Sequence, residues 1–209
     1  MEDKKNRNNR KEHVLYLVVP CYNEQEVLPE TSKRLREKLA DLIGRELISS
    51  ESRILFVNDG SKDRTWEMIE ELHEADPVCQ GVKLSRNRGH QNALLGGLMT
   101  AKEYADMVIS LDADLQDDID VIDQFVEKYY EGCEIVYGVR SARNTDTFFK
   151  RFTAEGFYRL IRLMGGEVVF NHADYRLMSR RALEEMERYQ EVNLFLRGIV
   201  PMIGFQTGV

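Results

Sequence analysis

The sequence predicts an open, mostly parallel α/β sheet flanked by helices, and three observations carry that expectation. Short, β-branched apolar runs alternate with amphipathic helical stretches through residue 138, the rhythm of successive βαβ units. Five of those runs each end at a polar or charged cluster, which an open sheet of this kind would gather along one edge. With 209 residues, 43% hydrophobic and 31% charged, the chain suits a single globular domain with a real core.

The elements follow in order. Residues 14–19 form a continuous apolar run stopped by Pro20, short enough for a buried parallel strand. Residues 29–47 place Leu35, Leu39, Leu42 and Ile43 at helical spacing. A second strand at 54–57 ends in Asn58-Asp59-Gly60-Ser61. The next helix takes Ser61 or Asp63 as its cap and turns Trp66, Ile69 and Leu72 inward. Residues 82–84 read as a third strand, and 91–104 as a helix in which Gly96 and Gly97 permit close packing on the sheet. A fourth strand at 107–111 runs into Asp112-Ala113-Asp114, a helix occupies 120–130, and 135–137 is the fifth strand.

Beyond residue 138 the rhythm changes. A long amphipathic helix is expected at 148–164, a short strand at 168–170, and helices at 181–188 and 192–199. Residues 1–12 are polar and basic with no apolar core, so they read as a disordered arm before a domain at 13–209 and not as a signal peptide. No stretch approaches the roughly 20 apolar residues of a membrane-spanning helix. The end at Gly208-Val209, without a capping element, suggests a fragment of a longer protein.

Charge and cysteine usage narrow the function. The net charge of −7 argues against a protein that neutralises nucleic-acid phosphates over its surface. That charge is uneven: residues 140–162 hold six basic side chains against Asp146 and Glu155, a local surplus of four. A basic, aromatic-rich stretch in an acidic chain points to an anionic ligand or a membrane surface. Cys21, Cys79 and Cys133 are far apart and form no CxxC pair, so neither a zinc site nor a disulfide framework follows and a reducing compartment is expected.

The strand-end clusters are Tyr22-Asn23-Glu24, Asp59, Arg86-Asn87, Asp112-Ala113-Asp114-Leu115-Gln116 and Arg140. Residues i and i+2 of an extended chain project the same way, so Asp112, Asp114 and the Gln116 amide would share a face. They would offer hard oxygen ligands for Mg²⁺ or Mn²⁺, with substrate phosphates completing the shell. An EF-hand starting at Asp112 would need glycine and glutamate where Asp117 and Asp123 stand. Neither a GxGxxG nor a GxxxxGK[ST] loop is present, so metal and arginine must hold any phosphates.

Taken in order, VVPCYNE (18–24), VNDGSKDRT (57–65), LSRNRGHQNALLGGL (84–98), LDADLQD (111–117) and YGVRSAR (137–143) resemble the family 2 glycosyltransferases of GT-A, Rossmann-like fold. HADYRLMSR (172–180) resembles a later segment of the branch that loads sugars onto polyprenyl phosphate, the dolichyl-phosphate mannosyltransferases and undecaprenyl-phosphate glucosyltransferases. The resemblance spans about residues 14 to 205. It implies an inverting hexosyltransferase that takes a UDP- or GDP-sugar and works with Mg²⁺ or Mn²⁺ at the cytoplasmic face of a membrane. By that resemblance Pro20, Tyr22, Asn23, Glu24, Asp59, Arg86 and Ala113 line the nucleotide-sugar, with Glu24 on the ribose and Asp59 on the base. Asp112 meets the ribose or the metal's surroundings, while Asp114 and Gln116 hold the metal. Arg140 and Arg143 grip the donor diphosphate and the acceptor phosphate, Asp174 is the acceptor-side carboxylate, and Arg176 lies beside it among the acceptor contacts. Asp112, Asp114, Asp174 and Arg140 form the catalytic set. Members of this branch normally continue into membrane helices, which this chain lacks. A sugar-hydroxyl acceptor and a non-catalytic nucleotide-binding module are the alternative readings. A homo-oligomer is left open.

Overall fold

A computed structural model describes residues 13–139, 172–189 and 196–209. Among the described residues seven strands form one sheet: β1 (Leu15–Cys21), β2 (Arg53–Asn58), β3 (Cys79–Lys83), β4 (Met107–Ser110), β5 (Ile135–Val139), β6 (His172–Ser179) and β7 (Thr207–Gly208). Their spatial order is β3-β2-β1-β4-β6-β5-β7. The helices are α1 (Leu28–Gly44), α2 (Thr65–Ala75), α3 (His90–Lys102), α4 (Ile122–Tyr130), α5 (Arg180–Met186) and α6 (Leu196–Met202), with a 3₁₀ turn at Ile119–Val121.

The period-two pattern of the strands divides the core into two layers. Leu15, Leu17 and Val19 of β1 join Ile54 and Phe56 of β2 on the side of α1 and α4. Tyr16 and Val18 join Leu55 and Val57 on the opposite side, under α3, α5 and α6. Of the two α3 glycines, Gly97 is the one pressed on the sheet: a Cβ there would stand 2.6 Å from both Val18 and Val57. At Gly96 it would meet only Leu84, at 3.9 Å.

Most expected elements are present with shifted ends. β1 continues through Pro20, which pairs with Val57, and β3 begins at Cys79, three residues before the apolar run that signalled it. Asp63, not Ser61, meets the start of α2, accepting from Thr65 N at 3.0 Å. The expected helix at 148–164 and strand at 168–170, the disordered arm at 1–12, and the first residues of the helix expected at 192–199 lie outside the described residues.

β6 was not expected as a strand. It pairs antiparallel with both β4 and β5, so the sheet is mixed. Its sequence hides it because Asp174 and Arg176 fall on the same strand face and are buried, where a core strand ordinarily presents apolar groups. The two form an ion pair, which is how both are accommodated.

The chain leaves β1 towards β2 and β3 on one side and returns to β4 on the other. Such a reversal opens a crevice beyond the carboxyl ends of β1 and β4, the ligand position of open α/β sheets.

Candidate active site

A cleft of about 320 Å³ occupies that crevice. Pro20, Tyr22, Glu24, Asp59, Asp112, Ala113 and Asp114 line it, together with Asn87, Gly89 and His90. Seven of the expected site residues are therefore gathered in one place from the ends of three strands.

Backbone stitching shapes the side of this cleft formed by the loops after β1, β2 and β3. Asn23 takes a positive φ of 57°, and its N–H donates to Ser61 Oγ at 3.0 Å while its Oδ1 accepts from Lys62 N at 2.8 Å. Glu24 N donates to Thr65 Oγ1 at 2.8 Å. The loop after β1 is thus sewn to the loop after β2. Gly60, at φ +67°, lets the latter approach the loop after β3: a Cβ would lie 2.5 Å from Asn87 N. Asp59 is buried, and its two oxygens accept from Arg88 N at 2.6 Å and Gly89 N at 2.9 Å. The carboxylate expected to read the base therefore latches the loop that opens α3. Arg86, expected among the nucleotide contacts, is exposed at the end of β3.

The Asp-Ala-Asp segment is anchored through its middle residue. The Ala113 side chain is buried in the core, and its carbonyl accepts from Thr31 Oγ1 of α1 at 2.5 Å. Asp112 and Asp114 line the cleft to either side of this anchor. The extended chain ends with β4 at Ser110: Ala113 and Asp114 sit in a turn in which Leu115 N donates to Asp112 O at 3.4 Å, Leu115 takes a φ of 50°, and the exposed Gln116 donates its N–H to Asp114 Oδ1 at 3.2 Å. The expected single face of three ligands is reduced to two carboxylates, with Gln116 on the turn beside them.

These carboxylates oppose one another. Burial, then the neighbouring Asp114, Asp63 and Asp112, raises the pKa of Glu24. Burial also raises Asp112, reinforced by Asp117, Asp114 and Asp174 and offset by His90. Among the described residues no group of three His, Cys, Asp or Glu side chains is placed to hold a metal ion unaided. A cluster of mutually repelling carboxylates with an incomplete donor set fits a divalent cation that shares its shell with substrate phosphates.

Behind the lining residue His90, Asp174 is 7% exposed. Its Oδ1 accepts from Arg176 Nη2 at 2.6 Å and its Oδ2 from Gln91 Nε2 at 3.2 Å. The Ser110 hydroxyl donates to its backbone carbonyl. Arg176, expected among the acceptor contacts, is 1% exposed and pairs with Asp174. His90 was quoted within a motif but given no role. Its Nε2 stands 3.5 Å from Asp174 Oδ2 and 3.9 Å from Asp112 Oδ1, between the two halves of the cleft. The signal for it was its place directly after Gly89, at the first position of the helix that faces the crevice. Arg140 and Arg143 lie outside the described residues.

A model of the family described as glycosyl transferase family 2 matches residues 16–187. The chain belongs to glycosyl transferase family 2. This family 2 domain is 61% identical over 194 residues to the uncharacterized glycosyltransferase YkoT of Bacillus subtilis (strain 168), covering 93% of this chain and 58% of that protein. It is 42% identical to the bactoprenol glucosyl transferase of Shigella phage SfV, covering 92% of this chain and 61% of that protein. It therefore spans about three-fifths of the length of these curated relatives. Among solved structures it resembles the mannosyltransferase PcManGT from Pyrobaculum calidifontis in complex with GDP-Man and Mn²⁺, with a TM-score of 0.61 at 18% identity over 95% of this chain and 55% of the other. It also resembles glucosyl-3-phosphoglycerate synthase from Mycobacterium tuberculosis in complex with UDP, with a TM-score of 0.58 at 17% identity over 86% of this chain and 61% of that one. The mixed sheet is thus the GT-A fold of the family. Among the described residues no helix is long and apolar enough to cross a membrane.

Proposed function

We propose that this family 2 domain transfers a hexose, with inversion, from a UDP- or GDP-sugar to a polyprenyl phosphate at the cytoplasmic face of a membrane. One observation carries the reading: the 42% identity, over nearly the whole chain, to a protein named for glucosyl transfer to bactoprenol, a polyprenol. The acidic cleft supports it, because a nucleoside diphosphate brings the phosphate oxygens that a divalent cation needs to bind there.

In this reading Asp114 and Gln116 hold Mg²⁺ or Mn²⁺, with Asp112 beside them. When bound, the cation neutralises charge developing on the departing diphosphate. Pro20, Tyr22, Asn23, Glu24 and Ala113 line the nucleotide-sugar, and Asp59 keeps the loop after β3 in place around it. Arg86, Arg140 and Arg143 bring cationic groups to the phosphates. The acceptor phosphate oxygen bonds to the anomeric carbon from the face opposite the leaving group, as the bond from that carbon to the diphosphate oxygen breaks.

A phosphate monoester has a second pKa near about 6, so at neutral pH it is a nucleophile with little proton left to remove. Asp174, already engaged by Arg176 and Gln91, suits a fixed anion that orients neighbouring cations better than a base. The basic stretch at 140–162 is assigned to the anionic membrane surface, where each basic residue contributes about 1 kcal/mol.

The test is a panel of UDP- and GDP-sugars with Mn²⁺ or with chelator, read by thermal shift, followed by transfer to a short polyprenyl phosphate and to a sugar hydroxyl. A nucleotide should raise the melting temperature more with Mn²⁺, and the phosphate should accept. Equal shifts with and without metal would remove the metal role. Transfer to the hydroxyl alone would replace the lipid-phosphate reading. Flotation with anionic liposomes, salt-sensitive and lost in Lys150→Glu/Arg151→Glu, checks the membrane contact.

A further inference from the structure

We propose that Gln91 is a positioning residue that fixes Asp174 from the first turn of α3 and so ties the acceptor wall of the cleft to the donor wall. The inference rests on the glycosyl-transfer reading above and adds to it a residue that lies within the 84–98 motif without a role and does not line the cleft.

Both ends of the Gln91 amide are used. Nε2 donates to Asp174 Oδ2 at 3.2 Å, and Oε1 accepts from Leu196 N at 3.3 Å. Those partners lie 83 and 105 residues away, on β6 and at the start of α6. A glutamine in the first turn of a helix needs neither bond to support the helix itself. Holding a flexible, partly buried side chain at two distant points costs rotamer freedom. The two hydrogen bonds offset that cost, and the groups they tether gain definition.

The backbone that carries Gln91 is itself held from the donor side. Arg88 N and Gly89 N, directly ahead of α3, both donate to the Asp59 carboxylate at the end of β2. A short path of hydrogen bonds and one helical turn therefore connects Asp59 with Asp174. On β6, Arg176 Nη2 meets Asp174 Oδ1 while Gln91 and His90 meet Oδ2. With both oxygens engaged, rotation of the carboxylate is opposed, and its plane is set partly by a residue that belongs to the donor-side loop. A loop positioned around the nucleotide would present Asp174 in one orientation.

Two substitutions separate positioning from support of the fold. Gln91→Glu keeps an oxygen able to accept from Leu196 N, and a carboxylate is favourable in the first turn of a helix. It replaces the N–H facing Asp174 with a like charge. Gln91→Lys does the reverse, restoring a donor towards Asp174 and abandoning Leu196. Both variants should fold and keep the metal-dependent nucleotide thermal shift. Transfer should fall on the order of 10-fold or more in Gln91→Glu, expressed in kcat and in the acceptor KM with the donor KM unchanged, because small misplacements at a reacting centre are amplified. Gln91→Lys should recover much of that loss.

Equal rates in the two variants, or a nucleotide shift lost in step with transfer, would overturn the positioning role. The wild type's choice between polyprenyl phosphate and a sugar hydroxyl tests the functional reading separately. The ranking of lysine over glutamate is measured on whichever acceptor the wild type uses, so the two failures are distinguishable.

Discussion

In the proposed reading the donor wall, where Asp112 and Asp114 line the cleft, and the acceptor wall, where Asp174 lies behind His90, use the same side chain in opposite ways. On the donor wall Asp112 and Asp114 stand close together with burial and like charge working against ionisation of Asp112. On the acceptor wall Asp174 is buried deeper, yet a guanidinium and an amide meet its two oxygens. In the proposed reading a cation completes the first arrangement, whereas the second is compensated by Arg176 and Gln91. The difference teaches that an aspartate left with like-charged neighbours is free to serve the proposed chemistry, whereas one paired with an arginine also contributes to the fold.

The most direct way to break this comparison is Arg176→Met. Removing one partner of a buried ion pair leaves the other charge poorly compensated, an expected loss of about 3–5 kcal/mol. Urea unfolding measures it, and a paired Arg176→Met/Asp174→Leu variant should recover most of the stability. A loss below about 1 kcal/mol would place Asp174 in the same class as its donor-wall counterparts.

Asp114→Ala should do the opposite. Its side chain is exposed, so the melting temperature should hold, while transfer drops at least about 10²-fold and the metal-dependent nucleotide shift disappears. Turnover above a tenth of wild type would mean that another residue carries the cation.

Thr31→Val probes how far the donor wall depends on the core behind it. The substitution preserves shape but removes the hydroxyl that Ala113 O accepts from. A lost hydrogen bond of about 1 kcal/mol corresponds to a roughly fivefold weaker grip on metal and nucleotide. Thr31→Ser should restore it, and titration calorimetry with UDP or GDP and Mn²⁺ reads the change.

The smallest effect concerns pH. Because the folded state raises the pKa of Asp112, its stabilising contribution is present below the ordinary carboxylate range and is lost as pH rises through the raised value. Asp112→Asn should therefore melt slightly above the wild type at neutral pH without metal, and equal to it in acid. Adding Mn²⁺ should narrow the neutral-pH gap by stabilising the wild type. A variant that melts lower at neutral pH would show that the Asp112 charge is already compensated.

Legibility in the sequence divided along the same line as the two walls. Leu15, Leu17 and Val19 against Tyr16 and Val18 alternate at period two, so the strand and its two covered faces could be read locally. Tyr22, Asp59 and Asp112 each follow an apolar run, and that adjacency located the cleft. Gln116 could not be assigned its direction in this way, because the chain turns at Ala113 and Asp114 and Leu115 takes a φ of 50°. β6 escaped for a related reason: Asp174 and Arg176 look like surface residues until their pairing is known.

The order of hydrophobic and polar residues determined the sheet, its chemical edge and, through the motifs on that edge, the family. The tertiary structure decided how the carboxylates differ. Which oxygen meets which donor depends on contacts such as Gln91 with Asp174, 83 residues apart, and Thr31 with Ala113, 82 residues apart. No local spacing encodes such pairs. They exist only once the sheet order has brought β6 beside β4 and set α3 across the crevice, because hydrogen bonding and charge compensation act over a few ångströms of space and take no account of distance along the chain.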